Sequence, residues 1–222
     1  MKKIIPLLKN VMLFNGIEEK DLGAMLSCLG GKLKNYKKGE TIFSIDDPNT
    51  SIGVLVSGEI QISKDDVLGN HMIMMKMKQY DVFGEAITCA QKKQIPYYTT
   101  ASADSQILFL NYRKILTTCS SACSFHSRLI ENLLYSLARK NLMLNDKIEI
   151  ISKRTTREKI LFYLNSQAQK VNSPAFAIPF NRQEMADYLC VERSALSTEL
   201  GKLRDEGIIS FSKSKFTLLS GR

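Results

Sequence analysis

The chain is 222 residues long, 44% hydrophobic and 24% charged, with 31 Lys+Arg against 22 Asp+Glu and a formal net charge of +9. That length supports two modest domains with their own cores, and no apolar run approaches the roughly 20 residues that a membrane-spanning helix needs. Five scattered cysteines, odd in number, argue for free thiols in a reducing cytoplasm and against a disulfide framework.

The opening MKKIIPLLKN is broken by Pro6 and Lys9 and is followed by no small-residue cleavage site, so it does not read as a signal peptide. From about residue 31 to 113, turn signals recur at short intervals: Tyr36-Lys37-Lys38-Gly39-Glu40, Asp46-Asp47-Pro48-Asn49, Ser57-Gly58-Glu59, Leu68-Gly69-Asn70 and Phe83-Gly84-Glu85. Between them Thr41-Ile42-Phe43, Ile52 to Val56, Ile60 to Ile62, Met72 to Met77 and Ile107 to Leu110 supply short apolar runs. Such spacing predicts a compact antiparallel barrel or sandwich. Met72, Met74, Met75 and Met77 read as adaptable core filling and not as a metal site.

From about Phe125 to Ser152 the chain lacks Gly and Pro. There Ile130, Leu134, Leu137, Asn141, Leu144, Ile148 and Ile151 repeat in alternating steps of four and three. This is a coiled-coil seam, so the helix is expected to pair with its copy in a second chain, Asn141 fixing register and strand number. A helix packed only on its own domain would show a broader apolar stripe. The helix should end near residue 154, because Thr155-Thr156-Arg157-Glu158 forms a capping box that opens the next helix, with Ile160, Leu161 and Leu164 inward. A capped break of this kind is a natural hinge.

Residues 182–209, RQEMADYLCVERSALSTELGKLRDEGII, read as two short helices around a tight turn. Met185, Ala186 and Leu189 line the inner face of the first, Val191 plugs the turn through Cys190 and Glu192, and Leu196, Leu200 and Leu203 line the second. Arg193, Ser194, Ser197, Thr198 and Lys202 are left outward, the layout of a helix-turn-helix reader. A packed helical hairpin would show the same spacing. However, Gly207 stops the second helix, and Ile208–Ser212 and Lys215–Leu219 follow as two strands around Lys213-Ser214, which makes a winged helix. Residues 153–222 hold 12 basic and 7 acidic side chains against 19 and 15 in the preceding 152, so positive charge is denser where a phosphate-facing surface is expected.

These parts in this order resemble the CRP/FNR superfamily of bacterial transcription regulators. The resemblance rests on YKKGETIF, SGEI, FGE, the long helix and RQEMADYL…RSALS…L…DEGII, and it covers nearly the whole chain. It implies an α+β fold: an antiparallel β-roll of cyclic-nucleotide-binding type over 1–121, a dimerisation helix over 122–152 and a winged helix-turn-helix over 153–222. It further implies a cytoplasmic homodimer on a pseudo-palindromic double-stranded operator with half-sites about 34 Å apart, RNA polymerase as a partner, and a small signal in the roll that favours the DNA-competent arrangement.

Carried over by position, Arg193 and Ser194 open the recognition helix, with Arg193 suited to bidentate pairing with a guanine, and Ser197 and Thr198 follow one turn later. Many relatives have Arg at the position of Thr198, so their operator should not be shared. Asn181, Arg182 and Gln183 begin the preceding helix and should meet phosphate, as should Lys213 and Lys215 in the wing; a merely solvated hairpin tip fits those two lysines equally well. In the roll, Gly84 and Glu85 match the backbone-amide and ribose-binding pair of the family's cassette, and Thr100 its hydroxyl position. Tyr97 stands where the family's Arg neutralises a cyclic phosphate, and a phenol cannot supply that grip. Leu144 and Asn145 replace the Thr-Ser pair that meets adenine in cyclic-AMP-binding members. Cyclic AMP is therefore not the expected effector; an organic ligand, or none, stays open.

Cys28, Cys89, Cys119, Cys123 and Cys190 do not cluster as iron–sulfur ligands. The Cys119/Cys123 spacing fits two small buried residues better than a redox pair, and His71 and His126 fit surface or capping roles better than haem ligation. No nucleophile–base pairing or metal spacing points to an enzyme. Two functions compete: a sequence-specific DNA-binding regulator, and a ligand- or redox-sensing protein with little specific DNA binding. Arg193 and Arg182 at contact positions favour the first.

Overall fold

The computed structural model describes residues 2–45, 51–91, 95–116 and 124–219. Helices α1 (Ile5–Leu8) and α2 (Glu19–Cys28) precede strands β1 (Lys32–Tyr36), β2 (Thr41–Phe43), β3 (Ser51–Ser57), β4 (Glu59–Asp65), β5 (His71–Lys78) and β6 (Val82–Phe83). Helix α3 (Glu85–Cys89), strands β7 (Tyr98–Ala101) and β8 (Ser105–Asn111), and helix α4 (Tyr112–Leu116) follow. The strands form two sheets, β1-β8-β3-β6 and β2-β7-β4-β5, with antiparallel pairing of β1 to β8, β3 to β8 and β6, and β7 to β2 and β4.

A strand's two-residue period decides what each sheet buries. In β3, Ile52, Val54 and Val56 join Leu108 and Leu110 of β8, Leu22, Met25 and Leu26 of α2, and Leu129 and Leu133 of the long helix α5 (Ser124–Ser152) in a helix-covered core. Leu55 faces the other way and joins Ile107, Phe83, Ile42, Ile60, Ile62 and Ala101 between the sheets. Gly53 is required beside Leu55, because a Cβ there would come within 2.3 Å of the Phe83 ring. Met77 is buried in the same core and Met74 and Met75 pack against it, as flexible thioethers filling irregular gaps.

The chain folds into two compact units, residues 1–64 with 74–141 and residues 65–73 with 142–222. In the second, α6 (Thr156–Val171) starts at the expected capping box: Thr155 Oγ1 accepts from Glu158 N at 3.2 Å and the Glu158 carboxylate accepts from Thr155 N at 3.0 Å. Strand β9 (Ala175–Ala177), helices α7 (Arg182–Leu189) and α8 (Arg193–Asp205), and strands β10 (Ile209–Ser212) and β11 (Lys215–Leu218) complete it. The wing is a three-stranded sheet, β10-β11-β9, one strand more than the hairpin expected from the sequence. Gly207, in the left-handed region at φ 73°, closes α8. Its N–H donates to Arg204 O and that of Ile208 to Leu203 O at 3.0 Å, a Schellman pair that satisfies the last carbonyls. No helix among the described residues is long and apolar enough to cross a membrane.

Of the two roles expected of His126, capping fits and surface does not: it is 2% exposed, stacked on Phe125 at 5.0 Å, and its Nε2 lies 3.4 Å from Lys114 O near the end of α4.

Candidate nucleic-acid interface and effector site

Leu196, Leu200 and Leu203 of α8 are fully buried, while Arg193, Ser194, Ser197, Thr198 and Lys202 are exposed on its opposite side. Arg193 is the first residue of the helix after the N-cap Glu192, so its guanidinium shares the helix end where unpaired N–H groups favour anions. Arg157 of α6 steadies α8 from behind: its Nη1 reaches Glu199 at 3.1 Å and Glu206 at 3.0 Å. These bonds hold Glu206 below the usual carboxylate range.

The three residues expected on phosphate at the start of α7 are each partly engaged. The Asn181 side chain caps the helix, accepting from Glu184 N at 2.9 Å, while Glu184 accepts from Asn181 N at 2.7 Å. Gln183 donates to Asp187 at 2.8 Å. The Arg182 guanidinium lies 5.0 Å from the centre of the Phe211 ring, half-buried, and that burial lowers its pKa. Arg204 approaches the same ring at 6.0 Å. Lys213 sits exposed in the wing turn with a left-handed φ of 54°, and Lys215 is exposed beside it.

In the first unit, Gly84 takes φ 81° to open α3, which begins with Glu85. Glu85 is 1% exposed, and apart from the Lys140 ammonium no donor among the described residues reaches its carboxylate. Its charge is met by Lys140 of α5, whose ammonium forms an ion pair with Oε1 and also donates to Val82 O. Tyr97 is pushed up to about 12, first by burial and then by the Glu85 charge. The expected hydroxyl, Thr100, is half-exposed, whereas Thr99 is fully buried with its Oγ1 unpartnered among the described residues. The reason is alternation: Tyr97 and Ala101 face the roll core, so Thr99 between them faces it too and Thr100 faces away. Leu144 and Asn145 belong to the other compact unit, exposed on α5, and the structure does not gather them with Gly84, Glu85 and Tyr97 in one unit.

Lys140, Lys147, Arg157 and Thr99 were missed from the sequence; only the strand alternation at Thr99 could have signalled one of them. Cys28 and Cys190 are exposed and Cys89 half-buried, while Cys119 and Cys123 lie outside the described residues.

An antiparallel roll, a long helix and a winged helix-turn-helix with an outward polar recognition face define a transcription regulator. The cyclic nucleotide-binding domain family matches residues 33–122 and the Crp-like helix-turn-helix domain family residues 158–220, and the chain belongs to the CRP/FNR family of transcription regulators, which are not enzymes. It is similar to the global nitrogen regulator of Synechocystis sp., 21% identical over 90% of this chain and 92% of that protein. It is also similar to the transcriptional activator protein FnrL of Cereibacter sphaeroides, 22% identical over 84% and 76%. Among solved structures, the c-di-GMP responsive global regulator CLP of Xanthomonas campestris shares the fold at a TM-score of 0.74 and 13% identity, over 92% of this chain and all of that one.

Proposed function

We propose that the protein is a cytoplasmic homodimer that binds a pseudo-palindromic DNA operator specifically, acts with RNA polymerase, and is gated by a small effector other than cyclic AMP. In this reading residues 1–121 form the effector-type domain, 122–152 the dimerisation helix and 153–222 the DNA reader. The observation that carries it is the two-sided α8, with three leucines fully buried and Arg193, Ser194, Ser197 and Thr198 all exposed. The choice against cyclic AMP is supported by Tyr97 in the place of a cationic side chain and by Glu85 already committed to Lys140. Asn181, the half-buried Arg182, Gln183 and the wing's Lys213 are assigned to backbone positioning, which adds affinity without sequence choice.

Selecting binders from a random duplex pool and measuring affinity against salt tests this. A regulator should yield one inverted-repeat sequence, prefer it strongly over random DNA, and lose affinity steeply as salt rises. Equal grip on chosen and random duplexes would instead support the sensor without specific DNA binding. Arg193→Ala should then cost about 1–3 kcal/mol of discrimination at one base pair of each half-site. Binding of a panel of single-base operator variants checks this, and an unchanged preference would remove Arg193 from base contact.

A further inference from the structure

We propose that Lys147 is a positioning residue for DNA reading: from α5 it grips the carboxyl end of α7, and through the turn it fixes where α8 stands against the dimerisation helix.

Among the described residues, the groups it contacts, Ile73 and Tyr188, lie with it in the second unit. The Lys147 side chain, 7% exposed, donates to Tyr188 O, approaches Ile73 O at 3.4 Å and stands 3.5 Å from the centre of the Tyr188 ring. Tyr188 is next to last in α7, so its carbonyl is among those a helix end leaves without an intrahelical partner. Lys159 of α6 caps the same end, donating to Cys190 O at 3.3 Å. Two cations thus sit at the negative end of α7. The Tyr188 ring is held in turn by Phe180 at 4.7 Å and Tyr163 at 5.5 Å. Past Tyr188 the chain has little freedom: Val191 N donates back to Ala186 O at 3.1 Å, and α8 begins at Arg193. A shift at Tyr188 therefore moves Arg193.

Burial makes the ammonium costly and pushes its pKa down to about 8, with Cys190 opposing and Lys159 adding to that effect. An apolar side chain would fill the slot without this cost; only the cation supplies the grip on carbonyl and ring. Tyr188 also faces it, its pKa pushed up to about 12 first by burial and then by Asp146 on α5, which is paired with Lys170 at 3.2 Å. From β5 Lys147 meets a carbonyl, and His71 nearby pairs with Asp65.

The proposal rests on the DNA-binding reading, and its test separates the two. Using the full-length protein and an operator selected as above, specific affinity should fall about tenfold between pH 7 and pH 9, the loss expected when one charge-assisted hydrogen bond weakens. Lysines and arginines on phosphate keep their charge across that range. Lys147→Met should bind about tenfold more weakly at pH 7 and show no such step, while Cys190→Ser should keep the step. The parent's profile needs no variant, so a Lys147→Met chain that fails to fold leaves the test standing. Affinity flat in pH, a step that vanishes with Cys190→Ser, or parental affinity in Lys147→Met overturns the proposal while leaving operator binding intact. Failure to select any operator would overturn the DNA-binding reading itself.

Discussion

Charging the exposed seam of α5 with Leu144→Glu and Ile148→Glu together should make the protein monomeric and weaken operator binding by about three orders of magnitude, roughly the gap between specific and non-specific binding. The single chain leaves Leu134 62%, Leu144 42%, Ile148 58% and Ile151 36% exposed, and Asn141 is exposed on the same line. Meanwhile Leu129, Leu133, Lys147 and Ile150, each one position before a seam residue, are buried in their own chain. The helix thus buries one face in its own chain, and its alternating four-and-three repeat belongs to the exposed one, the spacing of two-stranded coiled coils. Leu142 and Met143, 65% and 43% exposed, widen the apolar surface there. A second copy covering this surface would present two recognition helices together, and a lone module would lose the effective concentration that linkage supplies. Neither substituted residue touches the chain's own core, so each unit should keep its fold. Sedimentation at micromolar concentration and operator anisotropy check this; a substituted protein that still sediments as a dimer would sink the seam.

The features legible in the sequence were those carried by local rules. The capping box at Thr155, the glycine stop at Gly207 and the alternating faces of α8 each depend on residues within a few positions, and each appears where its pattern lies. Strand β9 has three residues between Pro174 and Pro179, too few for a period to show. Helix α2 carries Leu22, Met25 and Leu26 at the spacing of one helical face, all buried, so its local signal was present in the sequence although Gly23 interrupts it. The effector region was legible as a cassette but not as a set of contacts. Thr99 and Thr100 are chemically alike, and only the inward faces of Tyr97 and Ala101 choose between them. Lys140 and Lys147 look like any solvated lysine of a long helix. What distinguishes them is tertiary: acceptors from distant segments, Glu85 for one and Tyr188 O for the other.

Lys140→Met should destabilise the protein by about 3 kcal/mol, because removing one partner of a buried ion pair strands the other charge. The lower end of that principle's range is chosen because the Lys140 side chain is 20% exposed while that of Glu85 is 1% exposed, so some water already screens the pair. Apart from the Lys140 ammonium, Glu85 has no donor among the described residues to fall back on, and Tyr97, held neutral, brings no compensating charge. Replacing both partners with apolar groups, Glu85→Leu with Lys140→Met, should recover most of the loss, since neither charge then remains to be desolvated. Urea unfolding at fixed protein concentration, so that dimer linkage does not shift the midpoint, gives the double-mutant cycle. A double variant whose loss equals the sum of the single losses would mean that the two side chains act independently. The same cycle bears on effector choice: a ligand using the Glu85 carboxylate must displace Lys140 and so compete with an interaction already made. Its net affinity would be reduced by whatever coupling the cycle measures.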